Sequence, residues 1–431
     1  MSASDPKNAF YRQGSWMVIA TFASGLLMFA VHIFGGWMSR EEYGLFVTLL
    51  QILNLMMIPA LGLQTVFAQQ TAAATSPQQL YDLAKSTRKM LHLCLCVWVA
   101  IALVAAVFHG PILESLKIAN PAALCVTVLL GLPQLWLPVL LGILQGRQNF
   151  AWLGGAAIAN GVGRFVTVGI IVALLGGQAA GATTGVLIGL TTACLLAGWH
   201  GRQTWLGQSG ASQGSFDVGA WLKRIVPLTL GLGAGQFMLS ADMIAARAIL
   251  PEADSGPYGF AGMIGRGLVI FTAPLAAVMF PKLVREAAGT KSGVLGQAFL
   301  GTALLGALAG IGCTLAAWLL PGIIDHFPTL AAKKKIVTEI TPLIPYFIWS
   351  MLPLALGNVF VAALLAKERY CAVPWLVGIA FAYGLTLAWL ANTAAPPSQQ
   401  TIILTLGGFN LAFLGTAAAL TRRYAAAPES R

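Results

Sequence analysis

Charge is scarce in this chain. Only 9% of its 431 residues are Asp, Glu, Lys or Arg, while 58% are hydrophobic. A globular domain that faces water carries about 25% charged residues. A composition this apolar therefore excludes an ordinary soluble protein. Acidic residues are the scarcest class, 14 against 25 Lys and Arg. Histidines number five, none with a Glu at metalloprotease spacing, and no catalytic constellation emerges. No enzyme activity, metal or cofactor is expected. The six cysteines, Cys94, Cys96, Cys125, Cys194, Cys313 and Cys371, read as small packing residues rather than a disulfide framework or a metal site.

A long polar stretch is also missing. The longest lies at about 200–224 and leaves no room for a nucleotide-hydrolysing domain. No G-x-x-x-x-G-K-[ST] occurs, and Gly289-Thr290-Lys291-Ser292 lacks both its spacing and its second glycine. Energy for any transport would come from an ion gradient, the membrane potential, the substrate's own gradient or a partner. No nucleic-acid partner is expected. The first apolar run, 16–36, is too long for a signal-peptide core and is expected to remain as a span.

What is present is long apolar runs. Windows of about 20 residues give twelve, at 15–36, 43–68, 90–108, 121–144, 153–175, 180–199, 225–250, 258–281, 297–320, 340–365, 373–392 and 401–421. The 48 glycines fit closely packed spans. Most Lys and Arg fall on one side, including Lys85, Arg88, Lys89, Lys223, Arg224, Lys367, Arg369, Arg422 and Arg423. The other side holds only Arg40, Lys117 and Lys333 to Lys335. The richer side is expected to be cytoplasmic, with both termini there. Residues 76–89 read as an interfacial helix capped by Ser76. The Lys333 to Lys335 cluster reads as part of a short amphipathic segment at the outer surface.

The two halves repeat. At an offset of 215, Tyr43-Gly44 falls on Tyr258-Gly259, Pro59 on Pro274 and His32 on Arg247. At 220, Leu132-Pro133 falls on Leu352-Pro353. The expected fold is all-α: a polytopic membrane protein of about twelve transmembrane helices in two six-helix lobes. Six spans per repeat relate the lobes by a pseudo-twofold along the membrane normal. The expected boundaries are 1–205 for the N-terminal lobe, 206–224 for a cytoplasmic connection and 225–431 for the C-terminal lobe.

Residues 225–281 organise the C-terminal half: two spans joined by a turn at 251–257. Asp242 and Arg266 lie at equal offsets from Asp254, so an antiparallel hairpin would put them at equal depth. One reading is a pair that neutralises two buried charges; the other is a lining of a transport path. Arg164 sits near the middle of the fifth span, and Arg247 near the outer end of the seventh. A charge at such depth costs at least ~2.5–3.5 kcal/mol on insertion scales. A cavity that receives an anion would offset that cost, and the arginine fork suits the oxygens of a diphosphate. His32, Asn54 and Gln64 complete the candidate substrate-binding set, with Arg164, Arg266 and Arg247. Asp242 is the candidate for ion coupling or charge pairing. Pro59, Pro133, Pro274 and Pro353 are candidate hinges, because an intrahelical proline frees a carbonyl and bends the span.

Three stretches carry a family resemblance: Glu41-Glu42-Tyr43-Gly44-Leu45-Phe46 running on to Gly62-Leu63-Gln64, Leu144-Gln145-Gly146-Arg147-Gln148-Asn149-Phe150, and Ala241-Asp242 through Gly256-Pro257-Tyr258-Gly259 to Phe280-Pro281-Lys282. The sequence resembles the polysaccharide-transporter branch of the MATE/MOP flippase superfamily, the Wzx-like O-antigen and exopolysaccharide flippases, over essentially its whole length. The resemblance implies a bacterial inner-membrane flippase with a cationic cavity. Its substrate would be an undecaprenyl-diphosphate-linked oligosaccharide, moved from the cytoplasmic to the periplasmic leaflet by alternating access. It also implies a polysaccharide polymerase complex as a partner. Lipid II flippases of this superfamily usually have two further spans, and drug-exporting members carry acidic residues in the N-terminal lobe. No acidic residue lies inside the first six spans here. Two other readings stay open: a cation-coupled exporter of small amphiphiles, and a membrane scaffold of a polysaccharide-assembly complex that does not transport.

Overall fold

The computed structural model describes residues 6–60, 62–206, 218–287, 294–325, 334–393 and 396–426. Among them the regular elements are helices. In chain order these are α1 (Pro6–Ala30), α2 (Arg40–Met56), α3 (Leu63–Ala73), α4 (Pro77–Val107), α5 (His109–Ser115), α6 (Pro121–Gly146), α7 (Phe150–Val168) and α8 (Gln178–Trp205). There follow α9 (Val218–Ile249), α10 (Glu252–Ala287), α11 (Val294–Asp325), α12 (Lys334–Ile340), α13 (Leu343–Ala366), α14 (Val373–Ala391) and α15 (Gln399–Ala426). Eleven helical stretches among the described residues are long and apolar enough to cross a membrane. The expected eighth span, 258–281, falls within α10, whose 36 residues would extend about 54 Å at 1.5 Å per residue.

Local chemistry sets the helix ends. Ser76 accepts from the Gln79 N–H, and the Gln79 side chain reaches back to the Ser76 N–H, a reciprocal capping box with Pro77 in the first turn. Between Pro77 and Val107 there is no further proline and no glycine. Nothing stops the helix, so α4 runs unbroken for 31 residues. This corrects the expectation of a separate interfacial helix at 76–89 followed by a span at 90–108. The expected seven-residue turn at 251–257 is shorter too, because α10 starts at Glu252, with Glu252 and Asp254 in its first turn facing the positive end of the helix dipole. Lys334 and Lys335 lie on the seven-residue α12. Lys333 and residues 207–217 of the expected interlobe connection lie outside the described residues.

Proline has unequal consequences at the repeated positions. Pro59 sits in a 3₁₀ turn, Ile58–Ala60, that separates α2 from α3, and Gly62 follows with φ of 87°. A positive φ of this kind favours glycine. Pro274, its repeat partner, falls inside the continuous α10; Pro133 and Pro353 lie inside the continuous α6 and α13.

The chain forms two compact units, Met1–Thr229 and Leu230–Arg431. In the first, α7 packs along α1 and α8. A β-carbon on Gly161 would lie 3.1 Å from the Ser24 backbone, and one on Gly189 would lie 2.6 Å from the Asn160 carbonyl oxygen and 2.9 Å from the Arg164 nitrogen. Small residues thus let helix backbones approach closely, as in other membrane bundles. In the second unit α13 is central, packed against α10, α11 and α15. Gly265 meets the Phe347 backbone and Gly407 meets Ser350 at the same kind of close crossing.

Candidate functional site

In the second unit, α9 and α10 converge on Asp242. Arg266 Nη2 donates to Asp242 Oδ1 at 2.7 Å and to Oδ2 at 2.6 Å, while Arg266 Nε donates to the Leu239 carbonyl at 2.9 Å. Tyr258 donates its hydroxyl to Asp242 Oδ2 at 3.0 Å. Asp242 and Tyr258 are completely buried and Arg266 is 2% exposed. The guanidinium lies 5.9 Å from the centre of the Phe347 ring, and Gly262 leaves room for Arg266 Nη1, which a β-carbon there would displace. Phe347 also meets the Tyr258 ring edge-on at 4.9 Å. Two buried polar atoms here have no hydrogen-bond partner among the described residues: Arg266 Nη1 and the hydroxyl of Tyr383 on α14.

Arg247 lies elsewhere in the hairpin. It is 2% exposed, and its Nη1 donates to Ser255 Oγ at 2.7 Å. Ser255 in turn donates to the Glu252 carbonyl. Arg247 therefore ties the end of α9 to the first turn of α10.

The first unit handles its polar residues differently. Arg164 is half-buried on α7, and its Nε is shielded from solvent with no hydrogen-bond partner among the described residues. No carboxylate pairs with it among the described residues. Asn160, one turn earlier, faces α1: its amide nitrogen lies 3.8 Å from Met28 Sδ, a weak acceptor, and its Oδ1 is buried without a partner among the described residues. His32 lies just past α1. Its Nδ1 lies 3.0 Å from the Tyr43 hydroxyl, and its ring packs against Phe29, Tyr43 and Phe46. Asn160 thus lies at the seam of α1 and α7, and Arg164, one turn on, has its backbone nitrogen and β-carbon next to Gly189 of α8.

Asn54 and Gln64 stand apart. Asn54 bonds to Gln51 one turn back at 3.2 Å, and Gln64 bonds to Gln145 of α6 at 3.0 Å. No hydrogen bond joins either to His32 or Arg164 among the described residues. The sequence reading named neither Tyr383, Phe347 nor Gly262. A tyrosine inside an otherwise apolar span was a usable signal for Tyr383. Nothing in the sequence distinguishes Gly262 from the other glycines.

The family model for polysaccharide biosynthesis proteins matches residues 10–286, and the chain belongs to that family. It has the fold of MOP-superfamily transporters. It is similar to an inward-facing multidrug-resistance MATE transporter of that superfamily at 12% identity and a TM-score of 0.69, over 95% of this chain and 94% of that one. It is similar to the lipid II flippase MurJ in an inward closed conformation at 13% identity and a TM-score of 0.67, over 94% and 87%. A third match is a MOP transporter from Pyrococcus furiosus described as having a binding pocket of reversed polarity, at 14% identity and a TM-score of 0.55, over 98% and 96%. No curated protein matches the chain. The chain is therefore a multi-pass membrane protein of the MOP fold and the polysaccharide biosynthesis family.

Proposed function

We propose that the chain is a flippase that carries a diphosphate-linked oligosaccharide lipid across the bacterial inner membrane by alternating access, with both termini cytoplasmic. The observation that carries the reading is Arg164: a guanidinium at membrane depth with no counter-ion among the described residues. An uncompensated charge there is costly, and a bound phosphate would supply the missing partner through charge-assisted hydrogen bonds. Membership of a polysaccharide biosynthesis family supports the glycan part of the reading. The likeness to a lipid II flippase supports the lipid-linked part.

In this reading Arg164 holds the diphosphate, and His32 and Asn160 contact adjoining oxygens. Arg266 serves the structure instead, held by Asp242 and Tyr258. Pro59, at a break in the helix, is the strongest hinge of the four candidate prolines. The cation-coupled exporter reading needs a carboxylate free to take up an ion. Asp242 accepts three hydrogen bonds and is buried against Arg266, which weighs against that reading. A polymerase complex remains the expected partner.

The test is flipping by the reconstituted protein of a polyprenyl-diphosphate oligosaccharide, compared between wild type, Arg164→Ala and the apolar double replacement Asp242→Leu/Arg266→Met. Loss in the first variant and retention in the second supports the assignment. Equal flipping by wild type and Arg164→Ala refutes it. Absence of flipping by wild type with any such lipid moves the function to the scaffold or exporter reading.

A further inference from the structure

The first unit carries its own marks of where the bilayer begins. On α1 and the 3₁₀ turn after it, Ile19, Phe22, Leu26, Phe29 and Ile33 are half exposed or more, and Trp16 and Trp37 bracket them. The separation of those tryptophans corresponds to roughly 30 Å of helix, the thickness of a hydrocarbon core. Tryptophan collects at the two interfaces of a membrane. Trp16 therefore marks one of them.

Other groups gather at the Trp16 level. Trp16 Nε1 donates to the carbonyls of Phe150 at 3.1 Å and Ala151 at 3.3 Å. The next residue, Trp152, stacks on His200 of α8 with centroids 3.5 Å apart. Trp199 is 62% exposed, and the Arg202 guanidinium lies over its ring at 4.0 Å. On α8, the exposed Ile188, Leu195 and Trp199 form one apolar stripe that ends, three residues on, at Arg202. From α4, Arg88 donates through Nη1 to the Leu206 carbonyl at 3.0 Å. Arg202 likewise uses Nη1 on the Trp199 carbonyl at 3.0 Å. One nitrogen of each fork is thus fixed to the backbone, which holds the guanidinium in place. Lys85 and Lys89, both exposed, flank Arg88, and the half-buried Asp82 is the acidic residue nearest along α4.

We propose that this corner of the N-terminal unit binds the headgroup of an anionic phospholipid. Arg202 and Arg88 hold its phosphate oxygens, and Trp199 and Trp152 lie at the boundary between headgroup and acyl chain. The order along α8, apolar stripe, then tryptophan, then arginine, follows the polarity of a lipid from tail to phosphate. Excess basic charge matches an anionic leaflet surface, and a planar fork is suited to phosphate. The proposal does not depend on what the chain transports.

Native mass spectrometry of the purified full chain tests it, with phosphatidylglycerol and phosphatidylcholine titrated in parallel. Wild type is expected to retain phosphatidylglycerol preferentially. Arg88→Gln/Arg202→Gln is expected to lose most of that preference, roughly fivefold per arginine, with an unchanged melting temperature in phosphatidylcholine. Should the double variant fold poorly, Arg202→Lys, which keeps charge but not the fork, is expected to lose part of it. Equal retention of the two lipids by wild type overturns the proposal, as does an undiminished preference in the variants. Displacement of phosphatidylglycerol by excess inorganic phosphate would overturn the lipid surface in favour of a simple phosphate site.

Discussion

Arg164 and Arg266 are two arginines at membrane depth, one in each compact unit, and their surroundings are opposite. Arg266 is wrapped: a carboxylate across the hairpin, a backbone carbonyl, an aromatic face and a glycine that leaves it room. Arg164 has a glycine against its backbone and a shielded Nε without a hydrogen-bond partner, and no carboxylate, among the described residues. At an offset of 215, Arg266 corresponds to Gln51 and Asp242 to Leu27. The ionic pair thus belongs to one unit, while the tyrosines at 43 and 258 are buried in both. On the proposed function, the compensated charge is the structural group and the uncompensated one holds the ligand.

The largest effect should come from unbalancing the wrapped pair. Asp242→Ala leaves Arg266 buried without a counter-ion, a loss of about 3–5 kcal/mol, read as a fall in melting temperature and in monodisperse yield. Asp242→Leu/Arg266→Met should recover most of it, since an apolar pair of similar volume often replaces a buried ion pair without loss. If the double variant is no better than the single, the pair has a role beyond mutual neutralisation.

Gly189→Leu attacks the other arginine through its backbone. The new side chain would drive α8 away from Asn160 and Arg164 and should cost about 1–3 kcal/mol by overpacking. The melting temperature should fall, and helix content by circular dichroism should not.

Arg164→Gln sharpens the comparison from the functional side. Its expected cost is in transport: removing a charge-assisted hydrogen bond of about 1.5–3 kcal/mol corresponds to a roughly 10- to 100-fold fall in lipid flipping. The melting temperature should hold or rise, because a charge is lost from membrane depth. A melting point that falls as far as in Asp242→Ala would place Arg164 in the structural class with Arg266.

The tyrosine pair gives the smallest contrast. Tyr258→Phe removes a hydrogen bond to a charged carboxylate and should cost about 1.5–3 kcal/mol, whereas Tyr43→Phe removes a neutral bond to His32 and should cost about 0.5–1.5 kcal/mol. Thermal melting of the two variants in the same detergent measures the difference. Equal losses would mean that the Asp242 carboxylate does not strengthen its tyrosine bond.

The expected spans and the observed helices differ where chemistry acts over short distances. The sequence places a span at 43–68, and Pro59 and Gly62 divide it into α2 and α3. It divides 76–108 into two elements, and the absence of any breaker makes them one. A hydropathy window of about 20 residues averages over both features. Among the site candidates, the fate of Asn54 and Gln64 was beyond the sequence. Each bonds to another amide, Gln51 or Gln145, and such pairing depends on which faces meet.

Hydropathy alone determined that this chain is a bundle of membrane-crossing helices, because in lipid every backbone polar group must be satisfied within the segment and a span needs about 20 apolar residues. The equal depth of Asp242 and Arg266 was legible for the same reason: along a helix, position in sequence is position in depth. Which way a side chain points around the helix axis, and what it meets there, was not. Only the tertiary structure decided that Arg266 is neutralised, that Arg247 clasps a turn, and that Arg164 has no carboxylate partner among the described residues. Those outcomes depend on the packing of α1 on α7, of α10 on α13, and of α9 beside α13 and α14. Glycines such as Gly189 and Gly262 permit that packing, and their part in it becomes visible only when the helices touch.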